Sequence, residues 1–150
     1  MDQKIEKIIK EFADFDDWEG RYKHLIGLGK GLEGFPEEHR LEQNKVKGCQ
    51  SQVWLHADLG EAHNIHFFGD SDASIVKGIV ALLLRIYSDR TPDEIMNLDQ
   101  SFVEELGLKQ HLSMSRANGL SAMMKQIQFF AMAYKAKIDM GIIVENHKKS

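Results

Sequence analysis

Apolar residues recur at helical spacing along the first part of the chain. Ile5, Ile8, Ile9, Phe12 and Phe15 form one stripe behind Asp2, which predicts an amphipathic helix over residues 3–14 with Asp2 as its cap. Asp16-Asp17 interrupts the stripe and offers a cap to a second helix, whose apolar face is Trp18, Tyr22, Leu25, Ile26 and Leu28. Gly27, Gly29 and Gly31 weaken its end and supply candidate C-caps. Residues 33–44 contain a glycine and a proline, show no period, and read as a long surface loop.

The period then changes. Val46-Lys47 suits the start of a short strand and Val53–Leu59 a longer one, with Gly60–Asn64 as the turn and Ile65–Phe68 as the antiparallel return. So small a sheet needs helices on one face to be stable. Gly69-Asp70-Ser71-Asp72 reads as a turn that supplies N-cap oxygens, Asp72 foremost, to the most apolar helix of the chain. That helix carries Ile75, Val76, Ile79, Val80, Leu82, Leu83, Ile86 and Tyr87 over an arc wide enough to require burial on most sides. Thr91-Pro92-Asp93-Glu94 combines an N-cap threonine, a proline at the first helical position and a capping-box glutamate, which opens a short helix through Met96. A second short helix fits Ser101–Leu106, closed by Gly107. A long helix over residues 116–139, with Leu120, Met123, Met124, Ile127, Phe130 and Tyr134 on its stripe, ends at Gly141; residues 142–150 read as a flexible tail. No internal repeat or shift of composition divides the chain. The pattern predicts one domain over residues 1–150, of the α+β class, with a small antiparallel sheet of two or three strands covered by helices.

Composition excludes several functions. A formal net charge of −4, without a basic block beyond Lys148-Lys149, argues against a general nucleic-acid binder. The longest apolar run, Ile79–Leu84, falls far short of the roughly 18 residues of a membrane span. Charges at Asp2, Lys4 and Glu6 stand where a signal peptide would need its apolar core. A single cysteine forms no internal disulfide. A cytoplasmic protein is expected, with neither nucleic acid nor membrane as a partner.

That cysteine lies in Lys45-Val46-Lys47-Gly48-Cys49-Gln50-Ser51-Gln52-Val53-Trp54, beside a glycine that permits unusual backbone angles and downstream of two lysines. Free cysteine is often a buried filler. It is also a nucleophile when exposed in positive surroundings. Composition and spacing leave both readings open for Cys49. Other candidates are weaker. His63 and His66 with Cys49 suggest zinc, but a structural site takes four ligands at short spacing. His111 lacks companion ligands. The Gly27-x-Gly29-x-Gly31 run follows a helix and lacks the lysine–serine pair of a phosphate loop. Neither a metal nor a cofactor is expected.

Three stretches resemble the SufE family of sulfur-acceptor proteins: Gly48-Cys49-Gln50-Ser51-Gln52-Val53-Trp54, Gly69-Asp70-Ser71-Asp72-Ala73-Ser74-Ile75-Val76-Lys77-Gly78, and Gln110-His111-Leu112-Ser113-Met114-Ser115-Arg116-Ala117-Asn118-Gly119-Leu120. Their order and spacing are kept between about Trp18 and Met132. The resemblance implies a fold shared with scaffold proteins of the IscU type. It also implies a persulfide relay, a sulfurtransferase-like activity. Cys49 would take sulfur from a pyridoxal-phosphate cysteine desulfurase, stimulate that enzyme, and pass the sulfur to an iron–sulfur scaffold. Those scaffolds carry three cysteines for their cluster, and this chain has one, so a bound cluster is not expected. Arg116 matches the family arginine and would hold the Cys49 loop or steady its thiolate; its plain alternative is a surface arginine in an ion pair. Asp72 reads first as a helix cap worth on the order of 1 kcal/mol, and second as support for the loop. Gln52 and Ser51 would hydrogen-bond the loop backbone or face solvent. Competing functions are a regulatory module that binds a desulfurase without carrying sulfur, delivery to a tRNA-modifying route, and a peroxide-sensing thiol. A homodimer is left open. If the relay is right, Cys49 belongs on a loop between ordered elements, near Arg116 and away from a wholly apolar core.

Overall fold

Asp2 starts the fold as the sequence predicts, its carboxylate accepting from the backbone N–H groups of Lys4 and Ile5. The computed structural model describes residues 2–141. Helix α1 (Gln3–Ala13) leads through a short turn to α2 (Trp18–Lys30), which is capped at its start by Asp17. After the loop come strands β1 (Val53–Leu59) and β2 (Ile65–Ser71), then α3 (Ser74–Tyr87), α4 (Pro92–Met96), α5 (Phe102–Glu105), α6 (Leu108–His111) and the long α7 (Met114–Asp139). The chain is of the mixed α+β class. The expected tail at residues 142–150 lies outside the described residues.

The sheet is an antiparallel hairpin, with Val53 opposite Ser71 at its open end and Leu59 opposite Ile65 at its turn. The strand expected at Val46-Lys47 reduces to a single bridge, where the Val46 N–H donates to the Val53 carbonyl at 2.8 Å. Strand β2 runs three residues beyond the expected Phe68, through Gly69-Asp70-Ser71, which had read as a turn. Alternation explains the extension: Ile65, Phe67, Gly69 and Ser71 are buried while His66, Phe68 and Asp70 are less so. Gly69 belongs in the strand because α3 comes in over it. A Cβ at this position would lie 2.6 Å from Val80 Cγ1 and 3.0 Å from Leu55 Cδ2.

Helix α3 supplies the centre of the core, with Ile79, Val80, Leu82, Leu83, Ile86 and Tyr87 fully buried. Its other neighbour is α2, and the two backbones nearly touch. A Cβ at Gly78 would sit 2.2 Å from the Leu25 carbonyl oxygen, and one at Gly29 2.8 Å from the Gly78 nitrogen. Gly29 is therefore a contact residue inside α2 rather than the cap it was expected to offer; Gly31 ends the helix. The capping box at Thr91 and Glu94 is formed, and α5 is closed by Gly107, whose left-handed φ of 70° favours glycine. Helix α6 was not anticipated. Helix α7 begins two residues earlier than expected because the Ser113 hydroxyl accepts the Arg116 N–H at 3.3 Å. Among the described residues no helix is long and apolar enough to cross a membrane.

The loop over residues 33–44, with two 3-10 turns, lies across the outer face of the hairpin. His39 stacks on His56 with ring centroids 3.6 Å apart. Arg40 lies 4.8 Å from the centroid of the Trp54 ring and pairs with Asp70 at 2.9 Å. The segment entering the Cys49 loop is thus anchored to the sheet.

Two chelated guanidiniums tie the N-terminal helix to the core. Arg90 donates to both Asp2 oxygens at 2.7 and 2.9 Å, and Arg85 to both Glu11 oxygens at 2.9 and 2.8 Å. The bonds from Arg90 hold Asp2 down to a pKa of about 2, and those from Arg85 do the same for Glu11, lowered to about 2. A carboxyl depressed in the folded state contributes stability above its unfolded pKa and loses it as pH falls through the folded value. Unfolding free energy should therefore decline between about pH 4.5 and 2, by no more than about 2 kcal/mol per carboxyl after screening. Urea titrations across that window should show a shallower decline for Asp2→Asn/Glu11→Gln than for the parent. At the α2–α3 crossing, Gly78→Ala should cost about 2 kcal/mol or more, read as a lower urea midpoint, despite alanine's advantage of about 1 kcal/mol within a helix.

Candidate functional site

Gly48 has φ of 92°, a conformation that strains any residue with a Cβ. It turns the chain so that Cys49 points inward from a loop lying between the Lys45–Trp54 bridge and β1. The side chain is half-buried against α7, with Sγ 3.8 Å from the Gly119 carbonyl oxygen as a weak donor. A Cβ at Gly119 would lie 3.5 Å from Sγ, an ordinary van der Waals contact, so the sulfur rests directly against this turn of α7.

The sulfur opens on a cavity of about 310 Å³. The loop supplies Cys49, Gln50 and Ser51; α3 supplies Val76 and Ile79; the first turns of α7 and its cap supply Ser113, Ser115, Arg116, Gly119 and Met123. Cys49 and Arg116, 67 positions apart in the sequence, line one chamber, as the relay reading requires. A terminal sulfur bonded about 2 Å beyond Sγ has space there.

Burial pushes the Cys49 thiol up from its ordinary pKa. The upstream lysines provide no thiolate-stabilising pocket: Lys45 pairs with Glu42 at 3.1 Å beside the Trp54 ring, and Lys47 is exposed. At neutral pH the sheltered sulfur is a thiol. Among the described residues Arg116 has neither the ion pair of its plain alternative nor a hydrogen bond to the Cys49 loop. Its Nη1 donates to the Tyr22 hydroxyl of α2, and its guanidinium carbon lies 5.7 Å from the centroid of that ring.

Asp72 does not cap α3. The cap position belongs to Ala73, which has no side-chain bond to the helix. Asp72 instead clasps Gln52 across the open end of the hairpin: Oδ1 accepts the Gln52 N–H at 3.1 Å, Oδ2 accepts Nε2 at 3.3 Å, and the Asp72 N–H donates to the Gln52 carbonyl at 3.3 Å. The strand partner outcompetes the helix because β2 continues to Ser71, which brings Asp72 level with Gln52. The clasp closes the base of the Cys49 loop. Ser51 lies above it, in the cavity wall.

The histidines go elsewhere. His63 and His66 lie at the turn end of the hairpin, a seven-residue strand away from Cys49, on the order of 20 Å. His66 is bonded to Asp89 and Glu33, each at 2.9 Å, and His111 stacks on Trp18 at 4.6 Å. Among the described residues no group of three or more His, Cys, Asp or Glu side chains is placed to hold a metal ion. A larger groove, about 610 Å³, lies on the opposite face of α7 beside Val103, Met124, Phe129 and Met132. It contains no nucleophile of the cysteine kind.

Two contributors escaped the sequence pattern. Tyr22 and Trp18 read as core positions on the α2 stripe, and both do pack against the core; in addition Tyr22 reaches Arg116 at the start of α7 and Trp18 stacks on His111 at the end of α6. Met123, read as core, also forms cavity wall.

Cutting the clasp should loosen the loop without unfolding the protein. Iodoacetamide should alkylate Cys49 in Asp72→Ala about fivefold faster than in the parent at one pH, as the loss of about 1 kcal/mol of net hydrogen bonding implies. In the parent, the alkylation midpoint should lie above that of free cysteine.

Comparison with known proteins gives one answer. The family model for SufE, described as an Fe–S metabolism associated domain, matches residues 6–131. An uncharacterised SufE-like protein of Rhizobium meliloti is 46% identical over 129 residues, covering 83% of this chain and 91% of the relative. The solution structure of a hypothetical protein from Thermus thermophilus superposes with a TM-score of 0.73 at 21% identity, over 89% of this chain and 96% of that one. That likeness extends the agreement to the fold. With Cys49 and Arg116 lining one chamber and the family model spanning nearly all its helices and strands, the chain belongs to the SufE family.

Proposed function

We propose that this protein is a sulfur carrier whose acceptor is Cys49, loaded by a cysteine desulfurase and unloaded onto an iron–sulfur scaffold. The observation that carries the reading is the half-buried Cys49 sulfur, housed in a chamber with room for a second sulfur atom, on a loop clasped at its base by Asp72. Membership of a family associated with Fe–S metabolism supports the sulfur-transfer role.

The chemistry is thiol exchange. The Cys49 thiolate attacks the outer sulfur of the desulfurase persulfide. A new bond forms from Sγ to that sulfur, the donor's S–S bond breaks, and its electron pair leaves on the desulfurase thiolate. By capturing the sulfur, Cys49 returns the desulfurase to its free form, which is how it stimulates that enzyme. At rest Cys49 is a poor nucleophile, because burial favours the neutral thiol. Attack therefore follows opening of the loop into the partner's site, where the thiol leaves the shelter of the chamber. Return to the chamber then keeps the loaded sulfur from stray thiols. The loop is suited to such travel, since its hold consists of exposed hydrogen bonds at the base and one weak sulfur contact at the tip.

After incubation with a cysteine desulfurase and free cysteine, intact mass should rise by one sulfur atom, located on Cys49 by peptide mapping. Cys49→Ser should gain no sulfur and should not stimulate the desulfurase. Full stimulation by Cys49→Ser would replace this reading with that of a regulatory module that carries nothing.

A further inference from the structure

Helix α2 contributes no residue to the Cys49 chamber, yet it grips the chain that forms the far wall at two points. Trp18 stacks on His111 with ring centroids 4.6 Å apart and planes within 16°, just ahead of α7. Tyr22, one helical turn later, accepts from Arg116 Nη1, with the guanidinium carbon 5.7 Å from its ring centroid. The chemistry of the second grip matters. A carboxylate would also have fixed Arg116, but it would have cancelled its charge. A phenol fixes the direction of the guanidinium through a neutral acceptor and leaves the positive charge available. Among the described residues no carboxylate lies within ion-pair distance of Arg116. Arg116 lines the same chamber as Cys49, whose sulfur is the one group there able to become an anion.

We propose that Tyr22 is a positioning residue for sulfur transfer: it holds Arg116 as an uncompensated cation at the chamber wall, so that the terminal sulfur of a Cys49 persulfide is kept as an anion. This inference rests on the sulfur-carrier reading. A persulfide places its negative charge on the outer sulfur, beyond Sγ and deeper in the chamber. Its proton passes to solvent, and the anion gains a fixed opposite charge in place of the water it has lost. Sγ itself receives no comparable help at rest, where burial alone governs the thiol. The same arginine therefore favours the loaded form without activating the empty one.

Inorganic polysulfide loads Cys49 without any desulfurase: the thiolate attacks the terminal sulfur of a hydropolysulfide, an S–S bond forms from Sγ to that sulfur, its bond to the next sulfur breaks, and a polysulfide one sulfur shorter leaves with the bonding pair. The pH profile of persulfide alkylation by iodoacetamide then reports the anion directly. Arg116→Gln should raise the midpoint by about one pH unit, as expected for loss of a nearby opposite charge, and Tyr22→Phe by roughly half as much. Tyr22→Phe/Arg116→Gln should match Arg116→Gln alone, because Tyr22 acts only through the arginine. The empty Cys49 thiol should titrate alike in all four proteins, a control that a general loosening of the site would fail. An unchanged midpoint in loaded Tyr22→Phe, or additive shifts in the double variant, overturns the role of Tyr22 and leaves the carrier reading intact. A parent protein that takes no sulfur from polysulfide removes both.

Discussion

The fold depends on how closely helix α3 approaches its two neighbours. A hairpin of two strands does not bury enough surface to be stable alone. Here it is held by a helix that comes within side-chain contact of β2 at Gly69 and reaches the backbone of α2 at Gly78. Each glycine removes the one atom that would keep the layers apart. With the layers in contact, dispersion and apolar burial act over short distances, and Ile79, Val80, Leu83 and Ile86 are sealed between them. The ion pairs of Asp2 and Glu11 then fasten α1 to this centre.

The placing of the site follows from that packing. Helix α3 presents Val76 and Ile79 at its N-terminal end, beside the open end of the hairpin, where the Cys49 loop begins. Helix α7 closes the chamber from the other side with its first turns. Both ends of the loop are thereby fixed: the incoming segment by Arg40 and His39 on the outer sheet face, the outgoing one by the Asp72–Gln52 clasp. Between these anchors the loop is held by weak contacts. A rigid frame with one loosely held segment suits a group that must be sheltered and then delivered.

Electrostatics divide the roles within the chamber. Desolvation keeps the empty sulfur neutral, and a neutral thiol is cheap to bury. The guanidinium on the wall is held by a phenol, so its charge is not spent on an internal partner. Shelter and charge thus come from different elements, α3 and the loop for the first, α7 with α2 behind it for the second.

Local pattern was legible in the sequence wherever a residue's structural role is decided by its neighbours along the chain. Asp2, the Thr91–Glu94 box, the buried arc of α3 and the β1 strand follow from period and capping chemistry alone, and the family motifs pointed to Cys49 and Arg116. Contacts between distant segments were not legible in this way. Asp72 reads as a cap because capping is local, yet it serves a clasp because β2 runs on beneath α3 and brings Gln52 beside it. Gly29 reads as a helix end because glycine usually is one, yet it serves a crossing whose other half is Gly78. Tyr22 reads as core, yet its hydroxyl meets Arg116 far along the chain. Helices, hairpin and single thiol are thus written in the order of residues. The resting state of that thiol is settled in three dimensions, because its burial is a property of the chamber, which no one segment contains.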